Sequence, residues 1–191
     1  MRLFVAVNPP PQLREELATR LDSVRARVHI AWTRPQAWHL TLMFLGDWPP
    51  ERLPALGQSL RTAIAAHRPF AVRPGAVGAF PGLDRPRVLF LHLDADDPSG
   101  RTDPLAELAA EARRAVDAAW PDGPQDHKRF RPHLTVARIK RPPRPEELAE
   151  LRSLDLAGLP GFEVATVELM ASELRSDGAR HSVVESLRLS G

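Results

Sequence analysis

Two short stretches of the chain pair an imidazole with a hydroxyl two residues on: His39-Leu40-Thr41-Leu42 and His133-Leu134-Thr135-Val136. In an extended strand side chains alternate between faces, so each His and its Thr point one way and the intervening Leu and the next aliphatic point the other. Each stretch predicts a strand with a reactive face and an oily back. Two such strands set together would gather two imidazoles and two hydroxyls around one small polar space. Imidazole titrates near neutral pH, so one ring can take a proton from water while the other gives one to a departing alkoxide. Threonine hydroxyls can donate to the non-bridging oxygens of a phosphate and hold it for in-line attack. The set matches phosphodiester hydrolysis, with His39 and His133 as the acid–base pair and Thr41 and Thr135 on the phosphate. It requires no metal, and the sequence has neither a His-Glu-x-x-His helix nor a dense acidic cluster to hold one. A single His-x-Thr is commonplace; the repeated middle leucine and the apolar flanks set this pair apart.

Positioning these strands requires a scaffold, and the chain carries alternating helical and extended patterns. Helical stripes follow Pro11 (Leu13, Leu17, Leu21, Val24, Val28), Pro50 (Leu53, Leu56, Leu60, Ile64) and Pro104 (Leu105, Leu108, Ala112, Ala115, Val116). A shorter one follows Pro145 through Leu148 and Leu151. Proline suits the first turn of a helix, where its missing N–H costs nothing. Extended runs cover Leu3 to Val7, Leu40 to Leu45, Phe70 to Phe80 (broken at Pro74-Gly75) and Arg87 to Leu93. Later ones cover Leu134 to Ile139, Phe162 to Leu174 and Val183 to Leu189. Short turns such as Arg175-Ser176-Asp177-Gly178 allow antiparallel pairing, so a mixed α+β sheet fits better than a parallel one. The segments 94–103, 121–128 and 141–145 read as loops, none long enough to link independent domains.

Composition bounds the partners. The 191 residues carry a formal net charge of +2, so the chain is no polycation that coats nucleic acid by charge alone. Lysine occurs only at Lys128 and Lys140; the other cations are arginine, the better fork for phosphate. A GC-rich coding bias explains that usage more simply. With no cysteine, disulfides, thiolate metal sites and a cysteine nucleophile are excluded together, and the cytoplasm is the expected compartment. No apolar run is long enough for a membrane span.

The paired motifs, in this order, resemble the two-histidine (2H) phosphoesterases, and among them the bacterial and archaeal RNA 2′,3′-cyclic phosphodiesterases once called 2′-5′ RNA ligases. The resemblance covers most of the chain: Arg2 to Val7, His39 to Gly46, Phe80-Pro81 with Pro86 to Leu89, Phe130 to Arg138, and Ser172-Glu173-Leu174 with Asp177-Gly178. One departure is His181, where this family usually shows tyrosine. The resemblance implies a bilobal α+β fold spanning residues 1–191 as one domain. In it two mixed or antiparallel sheets, related by a pseudo-two-fold axis, flank a central cleft, with helices on the outer faces. It implies hydrolysis of a 2′,3′-cyclic phosphate, on RNA ends or nucleosides, to a 2′-phosphomonoester without cofactor. His39 would be the proton donor to the 3′ oxygen, His133 the acceptor that activates water, and Thr41 and Thr135 the phosphate ligands. Arg138 would add a phosphate contact, although its odd offset from His133 requires a bulge or strand end after Val136 to re-aim it.

Phe44 holds the position in the first motif that Arg138 holds in the second, so it could stack on a base. Core packing is an equal reading, and packing is the simpler one for Trp38. Arg131 and Lys128 could meet RNA phosphates but read first as solvated loop charges. His29, His67, His92, His127 and His181 lack a following Thr and read as structural or surface residues, with His92 sharing a face with Val88 and Phe90. Joining RNA ends by the reverse reaction, 2′-5′ oligonucleotide cleavage and a non-catalytic RNA-binding module remain alternatives. A complete site in one chain points to a monomer with no obligate protein partner and no membrane.

Overall fold

The prolines open the helices where expected. In the computed structural model, which describes residues 1–96, 102–123, 129–175 and 178–191, Pro11 begins α1 (Pro11–Arg27). Pro50 begins a single 3₁₀ turn, Pro50–Arg52, that runs into α2 (Leu53–Ala65). Pro104 and Pro145 begin α3 (Pro104–Ala119) and α4 (Pro145–Arg152). Asp103 caps α3, its Oδ1 accepting from the N–H groups of Leu105 (3.1 Å) and Ala106 (3.2 Å). The helical stripes share one core with the strands, except that α4 buries Glu147 and Leu151 and leaves Leu148 half-buried outside it. Among the described residues no helix is long and apolar enough to cross a membrane. His127, Lys128, the Ser176-Asp177 turn and parts of the 94–103 and 121–128 loops lie outside the described residues.

Among the described residues nine strands form the sheet: β1 (Arg2–Val7), β2 (Ala31–Trp32), β3 (Leu40–Asp47), β4 (Phe70–Phe80), β5 (Val88–Ala95), β6 (His133–Arg138), β7 (Phe162–Val164), β8 (Thr166–Arg175) and β9 (Gly178–Arg188). Their order is β7-β4-β5-β6-β3-β1-β8-β9, with β2 beside β6. These strands all pair antiparallel. The two sheets expected from the sequence are its two halves, continuous across a seam where Leu40 of β3 pairs with Leu134 of β6. The run from Phe162 splits at Ala165 because β7 pairs with β4 and β8 with β1, in opposite halves. Hydropathy cannot show such a change of partner. The two-residue β2 is too short for periodicity to reveal.

The pseudo-two-fold relation is visible in the register. Ala6 pairs with Thr41 and Val5 with Met43, leaving Leu42 as an extra residue in β3. Phe90 pairs with Thr135 and Leu89 with Ala137, leaving Val136 as the extra residue in β6. Each motif strand thus carries a bulge one residue after its threonine. Helices cover one face of the sheet, over Leu3, Val5, Val7, Leu40, Leu91 and Leu134. On the other face, Phe4, Ala6 and Met170 form a small separate cluster.

A buried carboxylate steadies the exit from β6. Glu147 of α4 is 1% exposed. It takes a two-pronged bond from Arg141 (2.9 and 3.0 Å) and accepts from the backbone N–H groups of His29 (3.2 Å) and Arg144 (2.9 Å). Arg141 also donates to the His29 carbonyl (3.0 Å), so the segments following α1 and β6 are tied together. Two residues beyond His29, β2 lies along β6, and the Thr33 N–H reaches the carbonyl of the bulged Val136 (2.9 Å). The Arg141 bond, then those to backbone, hold the Glu147 carboxyl well below the usual carboxylate range. A depressed carboxylate contributes stability that is complete above its unfolded value of about 4.3 and is lost as pH falls toward the folded value. Glu147→Gln is therefore expected to lower the urea midpoint at pH 7. Its deficit against the parent should shrink as pH falls from about 5 toward about 2, as followed by circular dichroism.

Candidate active site

The seam brings the four motif groups together. His39 stands immediately before β3 and His133 opens β6. Continuing the Leu40–Leu134 register by one residue each way sets His39 opposite Thr135 and Thr41 opposite His133. The two leucines are fully buried on the helix side, so the four neighbours share the opposite, open face. The histidines are diagonal partners across the pair, with Cα atoms about 7–8 Å apart in such an arrangement. That span lets two rings close on one phosphoryl group.

Each ring is aimed by its own chain. His39 Nδ1 meets the Ala37 carbonyl at 2.8 Å and His133 Nδ1 meets the Arg131 carbonyl at 2.6 Å. A carbonyl only accepts, so Nδ1 carries the proton in both and the neutral rings present bare Nε2 atoms to the cleft. Aromatic rings hold them from the side. Phe4 lies 4.8 Å from His39, while Phe90 and Phe80 lie 5.2 and 5.4 Å from His133, centroid to centroid. Desolvation among these rings pushes His39 down to about 4, against the opposing carbonyl bond, with His181, Arg14 and His133 adding repulsion. His133 is lowered for the same leading reason, with His92 and Arg138 contributing.

Relatives and solved structures identify the family and the fold. The sequence model of the 2′-5′ RNA ligase superfamily matches residues 9–175. The chain belongs to that superfamily. Among its relatives, the RNA 2′,3′-cyclic phosphodiesterase of Thermus thermophilus is 34% identical, covering 100% of this chain and 91% of the relative. That of Aquifex aeolicus is 30% identical over 100% and 98%. A crystal structure of a Thermus thermophilus protein superposes with a TM-score of 0.82 at 30% identity, covering 100% of this chain and 99% of that one. Apo Escherichia coli LigT shares the fold at a TM-score of 0.70 and 22% identity, over 100% and 98%.

Within this superfamily member the bulges do a second task. Across the one at Val136, Thr135 faces Phe90 and Arg138 faces Val88, two positions of β5 on the same side. Arg138 is thus turned to the threonine face despite its odd offset, through the bulge that the resemblance called for. The bulge at Leu42 does the same for Phe44, which pairs with Phe4 and is 53% exposed. Its ring lies 6.0 Å from that of Phe4 at the cleft edge, so Phe44 is not a core residue. Trp38 is a packing residue, 1% exposed, with the Arg25 guanidinium over both its ring (5.7 Å) and that of Trp32 (5.8 Å). Arg131 is exposed, as a solvated loop charge would be, and its guanidinium lies over Phe80 (5.6 Å).

Several site residues escape a reading of the sequence. His92, which spacing marks as structural, pairs with His133, and the His181 ring lies 5.2 Å from that of His39. Phe4 links His39 to His181, at 4.8 and 5.0 Å. Arg14 reaches back from α1 to the Pro9 carbonyl (2.9 Å), the Pro35 carbonyl and Asn8 Oδ1 (3.4 Å), close enough to lower His39. The one available signal is parity: His92 shares a face with Phe90, and Phe4 with Ala6. His29 is exposed. Among the described residues no three metal-ligating side chains converge. Two hollows elsewhere, of about 610 Å³ between α2 and α3 and about 550 Å³ beside Leu151–Gly158, are lined without histidine.

Both rings should be neutral in the free protein at pH 7, with the proton on Nδ1. Long-range 1H–15N spectra are expected to show a protonated Nδ1 and a bare Nε2 for His39 and His133. His39 should titrate at about 4; a His39 resonance that titrates at about 6.5 would contradict the desolvated site.

Proposed function

We propose that this protein hydrolyses 2′,3′-cyclic phosphates at RNA ends or on nucleosides to 2′-phosphomonoesters, without metal or cofactor, using His39 and His133 as acid and base. The observation that carries the reading is the Leu40–Leu134 pairing, which sets both imidazoles and both threonine hydroxyls on one open face. Thr41 and Thr135 hold the non-bridging oxygens, and Arg138 adds a fixed positive charge beside His133. The activity named for the relatives supplies the substrate class.

His133, neutral with Nδ1–H tied to a carbonyl, accepts a proton at Nε2 from the attacking water. His39 protonates the departing 3′ oxygen. In the free protein His39 is neutral, held at about 4 against an ordinary 6.5. That is a bias of about 3 kcal/mol against imidazolium. A phosphate anion about 4 Å away contributes ~4 kcal/mol at the effective dielectric of such sites. The substrate therefore brings the acid into its working state, and the carbonyl bond at Nδ1 directs the acquired proton to Nε2. Phe44, at the cleft edge, offers a face for the terminal base.

The test is incubation of EDTA-treated protein with an RNA oligonucleotide bearing a 2′,3′-cyclic end. A 2′-phosphate product is expected, with turnover lowered by roughly two to four decades in His39→Ala and His133→Ala. Thr41→Ala and Thr135→Ala should cost less. Near-normal turnover in either histidine variant defeats the mechanism; a 3′-phosphate product defeats the assigned leaving group.

A further inference from the structure

Packing alone does not account for His181. Its ring lies edge-on to Phe4 (5.0 Å) and to His39 (5.2 Å), on the cleft face of β9, across from Ser172 of β8. Its Nδ1 is shut off from solvent and has no hydrogen-bond partner among the described residues. A phenylalanine or leucine would fill the same space without stranding a polar atom, so the imidazole costs stability in this setting. What it supplies is a donor. A buried nitrogen without an acceptor is better left bare, which puts the proton of the neutral ring on Nε2, the nitrogen that a ligand can reach. His39 and His133 have the opposite tautomer, fixed by carbonyls at Nδ1, and so present only acceptors when neutral.

We propose that His181 is a substrate-binding residue of this site, donating through Nε2 to the phosphoryl group held between His39 and His133. The inference rests on the reading that a phosphate sits there. Rings with centroids 5.2 Å apart can each reach a different oxygen of one phosphoryl group at ordinary hydrogen-bond distance. Two adjacent imidazolium rings would repel, so His181 remains the neutral donor when His39 takes up a proton. Burial lowers the affinity of His181 for a second proton, in the same sense.

The experiment measures binding of inorganic phosphate to the full chain by calorimetry, alongside steady-state kinetics on a nucleoside 2′,3′-cyclic phosphate. His181→Phe keeps the ring packing and removes the donor; His181→Tyr restores a donor on an aromatic ring. One lost hydrogen bond to a charged group predicts about a tenfold weaker phosphate affinity in His181→Phe. KM should rise in parallel, kcat should stay within about threefold, and His181→Tyr should recover most of the loss. Parent-like phosphate affinity in His181→Phe overturns the proposal, as does a parent protein that binds no phosphate. Equal losses in both variants with lowered melting temperatures point to packing and overturn it too. Should His181→Phe fail to fold, the 15N resonances of His181 in the parent protein decide: a shift at saturating phosphate supports the contact, and none refutes it. Phosphate binding through His181 without cyclic phosphate hydrolysis would defeat the hydrolase reading alone. Hydrolysis with His181 unresponsive would defeat this one alone.

Discussion

The contact between Leu40 and Leu134 is the point on which the rest of the structure turns. It is where β3 pairs with β6, and it does three things together. It joins the half made of β7, β4, β5, β6 and β2 to the half made of β3, β1, β8 and β9, buries two leucines in the core, and sets the residues on either side of them facing away from the helices. A register slip of one residue would exchange faces, sending the leucines to solvent and the histidines into the core. The burial of the leucines therefore enforces the placement of the imidazoles. Hydrophobic packing and the arrangement of reactive groups are the same constraint seen from two sides of one sheet.

The bulges add what a regular strand cannot. With strict alternation, a group five residues beyond the histidine would lie on the core side, where Arg138 could not ionise against solvent and Phe44 could not meet a ligand. One extra residue in each strand, Leu42 and Val136, restores both to the open face. The irregularity needs support, and the Val136 carbonyl finds it in the N–H of Thr33 beside β2. That segment is in turn anchored through His29 to Glu147. A chain of backbone contacts thus runs from a buried carboxylate to the cleft edge. The two halves are related but not equal: one offers a phenylalanine where the other offers a guanidinium.

Much of this was legible in the sequence because the relevant signals are local. Proline placement and leucine spacing marked all four helices, and alternation marked the paired His-x-Thr strands and their shared orientation. The resemblance that made Arg138 a phosphate contact, set against strand parity, called for a bulge or strand end after Val136, and the bulge lies at Val136 itself. Long-range facts were not legible. Nothing between Phe162 and Leu174 discloses that the chain changes halves at Ala165, and two residues cannot announce β2. Phe4, Arg14 and His181 become neighbours of His39 only through the pairing of β1 with β8 and β8 with β9 and the return of α1, which no spacing encodes. His181 reads as a surface residue because strand β9 is polar along much of its length.

Both histidine rings are held by a carbonyl two residues earlier in the chain, just ahead of the strand, not by a group from the other half. Direction and separation are therefore governed by different parts of the molecule. Ring direction is a local property, decided within Ala37–His39 and Arg131–His133. Separation belongs to the seam and to the curl of the sheet. Small opening and closing movements about the seam would widen or narrow the gap between the rings while leaving each nitrogen aimed as before. The architecture is that of a vice whose jaws are set locally and whose gap is set by the sheet.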